Sequence, residues 1–333
     1  MAVESLSMTD RQLEQFYSEG YVVVEDVFDP DRDFAPLNAD YDELLDRVAG
    51  EMLSRGEITH YEATGTFQDR LIEVIKQVGK LYIQPFDISL PQKNIKSDTP
   101  MYLGKAAFDL IRHPALLDLV ESVIGPEIFS NPIQHIRLKA PQGIIGQNLS
   151  LDGTVQSGEN VATTTPWHQD SGVATENADD TEVLSVWVPL VDVDEHNGCL
   201  AAIPFSHLDG LALHCPRTAA LTIPDEYIPI GRMKPVPMTA GSVLLFTRFT
   251  MHRAMPNLSD RVRWSFDFRY QKPGLPTGRE VFPGFLARSR KNPSLVLRDH
   301  TEWARLWLDT REALANNQLP PFNRWNADVP QCA

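Results

Sequence analysis

Cysteine is scarce: Cys199, Cys215 and Cys332 are the only three in 333 residues. They are too few and too scattered for a disulfide framework or a zinc site, and a reduced compartment is expected. No apolar run approaches the roughly 20 residues a membrane-spanning helix needs. Basic residues are also short, with 30 Lys and Arg against 45 Asp and Glu and a formal net charge of −15. Phosphate binding relies on clustered Lys and Arg, so this balance argues against a nucleic-acid partner. It makes a highly anionic acyl-CoA a less natural substrate too, although a local patch can override a net value. Arg288-Ser289-Arg290-Lys291 is such a patch, with a solvated loop as its default reading. The first ten residues are polar and acidic rather than a secretory leader, and Pro330 to Ala333 is not the peroxisomal Ser-Lys-Leu address. A cytoplasmic location is expected.

What is present suits one large soluble domain: 42% hydrophobic and 23% charged residues over 1–333. Thr9 and Gln12 form a capping box for a first helix ending near Gly20. Apolar residues at three and four spacing predict a second helix from about Asp40 to Leu53 and a third from about Gln68 to Leu81. From Ile128 the pattern changes to short strands separated by Gly, Pro and Asn, with Asn197-Gly198 as a hairpin turn signal. The expected fold is mainly β with flanking helices: a double-stranded β-helix, the jelly-roll or cupin-like barrel, buttressed by N-terminal α-helices. Its parts are a helical portion (about 1–127), a barrel core (about 128–271) and a C-terminal extension (about 272–333). In the extension, Asp299 to Asn316 places Trp303, Leu306, Trp307 and Leu314 on one helical face, for packing on the barrel or for a dimer contact. Oligomeric state is not legible. The Gly-, Ser-, Thr- and Asn-rich stretch Pro141 to Thr165 reads as a lid at a site mouth or as an uninvolved surface loop.

Two distant islands carry chemistry. Trp167-His168-Gln169-Asp170 offers an imidazole and a carboxylate; His252 offers a second imidazole, and Arg263 follows it by eleven residues. On one strand, His168 and Asp170 would face the same side. With His252 they make a two-His-one-carboxylate facial triad, which leaves three positions on Fe(II) for a bidentate 2-oxo acid and O2. A buried guanidinium is the usual partner for the distal carboxylate of 2-oxoglutarate, and Arg263 is placed for that.

The chain resembles the phytanoyl-CoA dioxygenase family of Fe(II)/2-oxoglutarate oxygenases. The likeness runs over roughly residues 8 to 271, through Met8-Thr9-Asp10 to Val24, Leu184 to Leu190, Asn197-Gly198-Cys199-Leu200 and Ile203 to His207, then Ala240-Gly241 to Arg263. It implies His168, Asp170 and His252 as iron ligands, Arg263 as the cosubstrate anchor, and Ser265 as its neighbour on the same strand face. Trp187 matches an aromatic lining the cosubstrate pocket in relatives, or else is a core tryptophan. Arg261, Arg263, Ser265 and Asp267 share one face, so spacing leaves Arg261 as a competing anchor. Lys105 is a cosubstrate or substrate contact, or a solvated lysine at a helix start. His60, His113, His135, His196, His207, His214 and His300 lack a partner at ligand spacing.

The resemblance implies Fe(II), 2-oxoglutarate and O2, with oxidation of a C–H bond in a small organic substrate such as a natural-product intermediate. Asp170, a carboxylate, implies hydroxylation over halogenation. The alternatives are an acyl-CoA hydroxylase and a metal- or ligand-binding jelly roll without catalysis.

Overall fold

Helix α1 (Asp10–Glu19) starts at the expected capping box and stops at Gly20, whose φ of 88° is left-handed. A Cβ there would lie 2.5 Å from His207 Nδ1, so glycine is required on both counts. His207 also meets the Tyr17 carbonyl at 3.1 Å, a structural use of that histidine. The computed structural model describes residues 6–144, 165–216, 220–317, 322–326 and 328–332. Most of the Pro141–Thr165 stretch lies outside the described residues.

After α1 come β1 (Tyr21–Val24), the short α2 (Pro30–Asp33), α3 (Ala35–Ser54), α4 (Phe67–Val78), α5 (Lys105–Ile111) and α6 (Pro114–Ile124). The strands follow as β2 (Ile128–Ser130), β3 (His135–Lys139), β4 (Val183–Pro189), β5 (Leu200–Ala202), β6 (Cys215–Pro216), β7 (Leu221–Thr222), β8 (Lys234–Val236), β9 (Val243–Thr247), β10 (His252–Ala254), β11 (Arg263–Gln271) and β12 (Phe285–Arg288). Helix α7 (His300–Ala315) opens on its Asp299 cap and buries Trp303 and Trp307. The Trp303 ring lies 5.6 Å from that of Phe108 of α5, so the helix packs on the body of the protein.

One sheet runs β1-β9-β4-β11-β2-β12, with β3 also on β11; a second, of three strands, runs β10-β5-β8. All their pairings are antiparallel, and the two sheets make the jelly roll. Strand β1, from the helical portion, and β12, from the extension, both enter the large sheet. Asn197-Gly198 does turn, with the Gly198 and Cys199 amides donating to the Asp194 carbonyl. It is not a hairpin: β4 before it belongs to the large sheet and β5 after it to the small one. A jelly-roll chain crosses between sheets at such corners, and local turn chemistry is the same in either case.

Strand β11 organises the molecule. Trp264, Phe266, Phe268 and Tyr270 join the main core, where Trp264 lies 5.0 Å from Tyr41 of α3 and 4.9 Å from Phe67 of α4. Each such aromatic contributes roughly 2–3 kcal/mol through burial. Arg263, Asp267 and Arg269, from the alternate positions, line a cleft between the sheets.

Two cysteines depart from the sequence reading. Cys215 and Cys332 form a disulfide across 117 positions, their Cα atoms 5.2 Å apart, while Cys199 stays free and buried. Separation along the chain hid the pair, since only tertiary folding brings β6 beside the C-terminal segment.

Candidate metal centre and cosubstrate pocket

His168 and His252 form an antiparallel bridge, each amide donating to the other's carbonyl at 3.0 Å. This bridge extends the small sheet and carries the first island to β10. Asp170 does not continue the strand; it opens a short helical turn, Asp170–Val173. The three side chains converge nonetheless, with one ligand atom from each within 4.8 Å of the others. Asp170 Oδ1 stands 3.8 Å from His168 Nε2 and 4.0 Å from His252 Nε2. Bonds of about 2.1 Å allow ligand pairs up to about 4.2 Å apart, a limit that both carboxylate–imidazole pairs satisfy.

The donor set is prepared for a cation. Nδ1 of His168 lies 2.9 Å from the Pro166 carbonyl, and Nδ1 of His252 lies 2.9 Å from that of Thr250. A proton on each Nδ1 leaves each Nε2 lone pair for metal. Burial, then the neighbouring His252, holds His168 well below its ordinary pKa and thus neutral. Burial alone would raise the Asp170 pKa, but the Arg269 guanidinium chiefly overcomes it and keeps the carboxylate ionised. Two imidazoles and one carboxylate fit Fe(II) with an open face, and a closed four-ligand zinc site is not assembled among the described residues.

Beside the triad is a cleft lined by Arg137, Ser185, Trp187, Phe246, Arg263 and Arg269 among others. Arg263 is 2% exposed, and its Nε has no partner. Its Nη1 donates to Ser265 Oγ at 2.5 Å, and its guanidinium sits 5.4 Å over the Trp187 ring. Burial lowers its pKa to about 10, which still leaves it charged at neutral pH. A buried cation with no carboxylate of its own calls for an anionic ligand. Arg261, by contrast, is exposed and does not line the cleft. Lys105 is exposed and paired with Asp109 on α5. The basic run is neutralised locally: Arg288 pairs with Asp118 and Glu121, and Arg290 with Glu121.

Three supporting residues escaped the sequence reading. Arg269, 6% exposed, grips Asp170 with two bonds, Nε to Oδ2 at 2.9 Å and Nη2 to Oδ1 at 2.5 Å. The period of two that grouped Arg263 with Asp267 reaches Arg269 at the next step, so a signal existed. Ser185 of β4 also donates to Asp170. His214 accepts the Gln169 amide at 2.9 Å and stacks on Trp325, whose indole donates to the Gly172 carbonyl at 2.7 Å. A Cβ at Gly172 would come within 2.3 Å of the His214 ring, so glycine permits this buttress. Nothing at ligand spacing marks His214.

Acid should loosen this arrangement. An imidazole titrates near 6.5 when unfolded; burial takes His214 down to about 4 despite its bond to the Ala212 carbonyl. The unfolded chain therefore binds more protons below about pH 6.5, and the stability His214 contributes drains as pH falls from there to about 4. The loss is at most about 3 kcal/mol. Denaturant titrations of metal-free protein at pH 7 and 4.5 should show it, and His214→Gln should flatten the dependence.

Residues 16–265 match the family described as phytanoyl-CoA dioxygenase (PhyH). A phytanoyl-CoA dioxygenase domain-containing protein 1 from Danio rerio is 26% identical over 275 residues, 78% of this chain and 89% of its own. A 1-deoxypentalenic acid 11-beta-hydroxylase from Streptomyces arenae is 27% identical over 285 residues, 79% of this chain and 82% of its own. In structure, EvdO2 of Micromonospora carbonacea var. aurantiaca, solved with 2-oxoglutarate, superimposes with a TM-score of 0.51 at 18% identity, covering 87% of this chain and 98% of that one. With the family match spanning most of the barrel and its helices, the chain belongs to the phytanoyl-CoA dioxygenase family.

Proposed function

We propose that His168, Asp170 and His252 hold Fe(II), that Arg263 with Ser265 and Trp187 receives the distal carboxylate of 2-oxoglutarate, and that the substrate is a small organic molecule. The protein is an Fe(II)/2-oxoglutarate-dependent dioxygenase. Bound together, the ion and the 2-oxo acid supply the oxidation: O2 is consumed, 2-oxoglutarate leaves as succinate and CO2, and a substrate C–H becomes C–OH. The protein's own residues position and exclude. Pro166 and Thr250 carbonyls fix the imidazole tautomers, Ser185 and Arg269 orient the carboxylate, and Trp187 and Phe246 keep the cleft wall apolar.

The observation that carries this reading is the buried Arg263, without a carboxylate partner, in the cleft that also holds the His-Asp-His cluster. A noncatalytic binder of metal has no use for it. The substrate class draws support from the Streptomyces relative, whose name is that of a hydroxylase of a small carboxylic acid.

Anaerobic titration of the Fe(II)-loaded protein with 2-oxoglutarate tests the assignment. Wild type should develop a saturable visible metal-to-ligand charge-transfer band, and Arg263→Ala should need about a hundredfold more 2-oxoglutarate to reach it. Equal titrations in the two proteins would remove Arg263 from the anchor, and iron bound without any band would return the protein to the noncatalytic reading.

A further inference from the structure

We propose that Arg137 is the recognition point for a carboxylate on the substrate, so that this enzyme takes apolar monoanions; the inference rests on the 2-oxoglutarate reading above. Arg137 lies on β3, directly opposite Ser265 of β11, and lines the same cleft as the triad. Its Nε donates to Asp267 Oδ2 at 2.8 Å. Among the described residues this is its only side-chain partner, leaving both Nη groups free, and the side chain is 40% exposed. Arg269 differs, since Asp170 takes two of its nitrogens and the Ile133 carbonyl the third.

Charge in the cleft favours an anion of one unit. Its lining carries three guanidiniums, Arg137, Arg263 and Arg269, against two carboxylates, Asp170 and Asp267. One positive charge is left over, within a chain whose formal net charge is −15. A divalent ion and a dianionic cosubstrate cancel one another, so loading the site preserves that surplus. Arg263 is taken by the cosubstrate and Arg269 by Asp170; Arg137, although paired with Asp267 through Nε, is the guanidinium whose Nη groups are open to a ligand. Its planar fork matches a carboxylate. A phosphate monoester, near two negative charges, would overshoot the surplus. Trp187, Leu200, Phe246 and Ala254 give the lining an apolar wall beside the polar Thr165, Ser185 and the triad, so the substrate's carboxylate is joined to an apolar portion.

Calorimetric titration of the anaerobic Fe(II) protein at saturating 2-oxoglutarate provides the test, with cyclohexanecarboxylate and its neutral amide as probes. The acid should bind about tenfold more tightly than the amide. Arg137→Gln should erase that preference, and Asp267→Asn should enlarge it by releasing the guanidinium. The charge-transfer titration of 2-oxoglutarate should stay at wild-type values in Arg137→Gln. Equal binding of acid and amide by wild type overturns the proposal, as does tighter binding of cyclohexyl phosphate than of the acid. So does an Arg137→Gln protein that loses 2-oxoglutarate affinity while keeping the acid, because Arg137 would then serve the cosubstrate. Absence of the band in wild type is a separate failure, of the cosubstrate reading itself, and removes this inference with it.

Discussion

His252→Ala should lose metal affinity by well over about a hundredfold and with it all 2-oxoglutarate turnover. Loss of a residue that merely orients a ligand already costs 10- to 100-fold in metal sites, and here a ligand itself is removed from a set of three. The fold should survive. The His252 ring packs 4.5 Å from Phe246 and 4.2 Å from His168, so its loss leaves a cavity beside a cleft that water already reaches. Thermal melts with and without Fe(II) separate the two effects. Metal at about a hundred times its dissociation constant stabilises the native state by about 2.7 kcal/mol, and that increment should vanish in the variant. A His252→Ala protein that still gains stability from Fe(II) would displace His252 from the ligand set; Asp170→Ala and His168→Ala give parallel tests.

Arg269→Met should weaken the metal-free protein by about 3–5 kcal/mol, because it leaves a fully buried carboxylate without its counter-charge. Asp170 is 4% exposed, and Arg269 supplies two of its hydrogen bonds. Without the guanidinium, burial raises the Asp170 pKa, so the penalty should be largest at neutral pH and shrink toward acid as the carboxyl takes up a proton. A divalent ion can replace the missing charge. Fe(II) or Zn(II) should therefore stabilise Arg269→Met more than wild type, in the same denaturant titrations. Wild-type stability in the variant would mean that Ser185 and water alone satisfy Asp170.

Much of this was legible in the chain because it depends on local rules. The Thr9 capping box and the Gly20 stop fix α1; period-two alternation along β11 separates Trp264, Phe266 and Phe268 from Arg263, Ser265 and Asp267. His168, Asp170 and His252 were picked out by residue chemistry and family resemblance, and their side chains cluster where they could hold a metal ion. What escaped requires distance in sequence to become nearness in space. His214 buttresses Gln169 across 45 positions, Arg269 reaches Asp170 across 99, and Cys215 meets Cys332 across 117. Asn197-Gly198 failed in another way: its turn is local and correct, but which sheet each flanking strand joins is decided by the whole barrel.

The two-sided character of β11 has a consequence for how this gene can change. Each face can vary by substitution almost independently, aromatics against helices or charges toward the cleft. A change in length cannot be absorbed so easily: one residue inserted or deleted within Arg263–Gln271 would exchange the faces beyond it, sending guanidiniums into the helical layer and indoles or phenyls into the cleft. Diversity in this strand should therefore arise by replacement and almost never by insertion or deletion, with length variation relegated to the turns on either side.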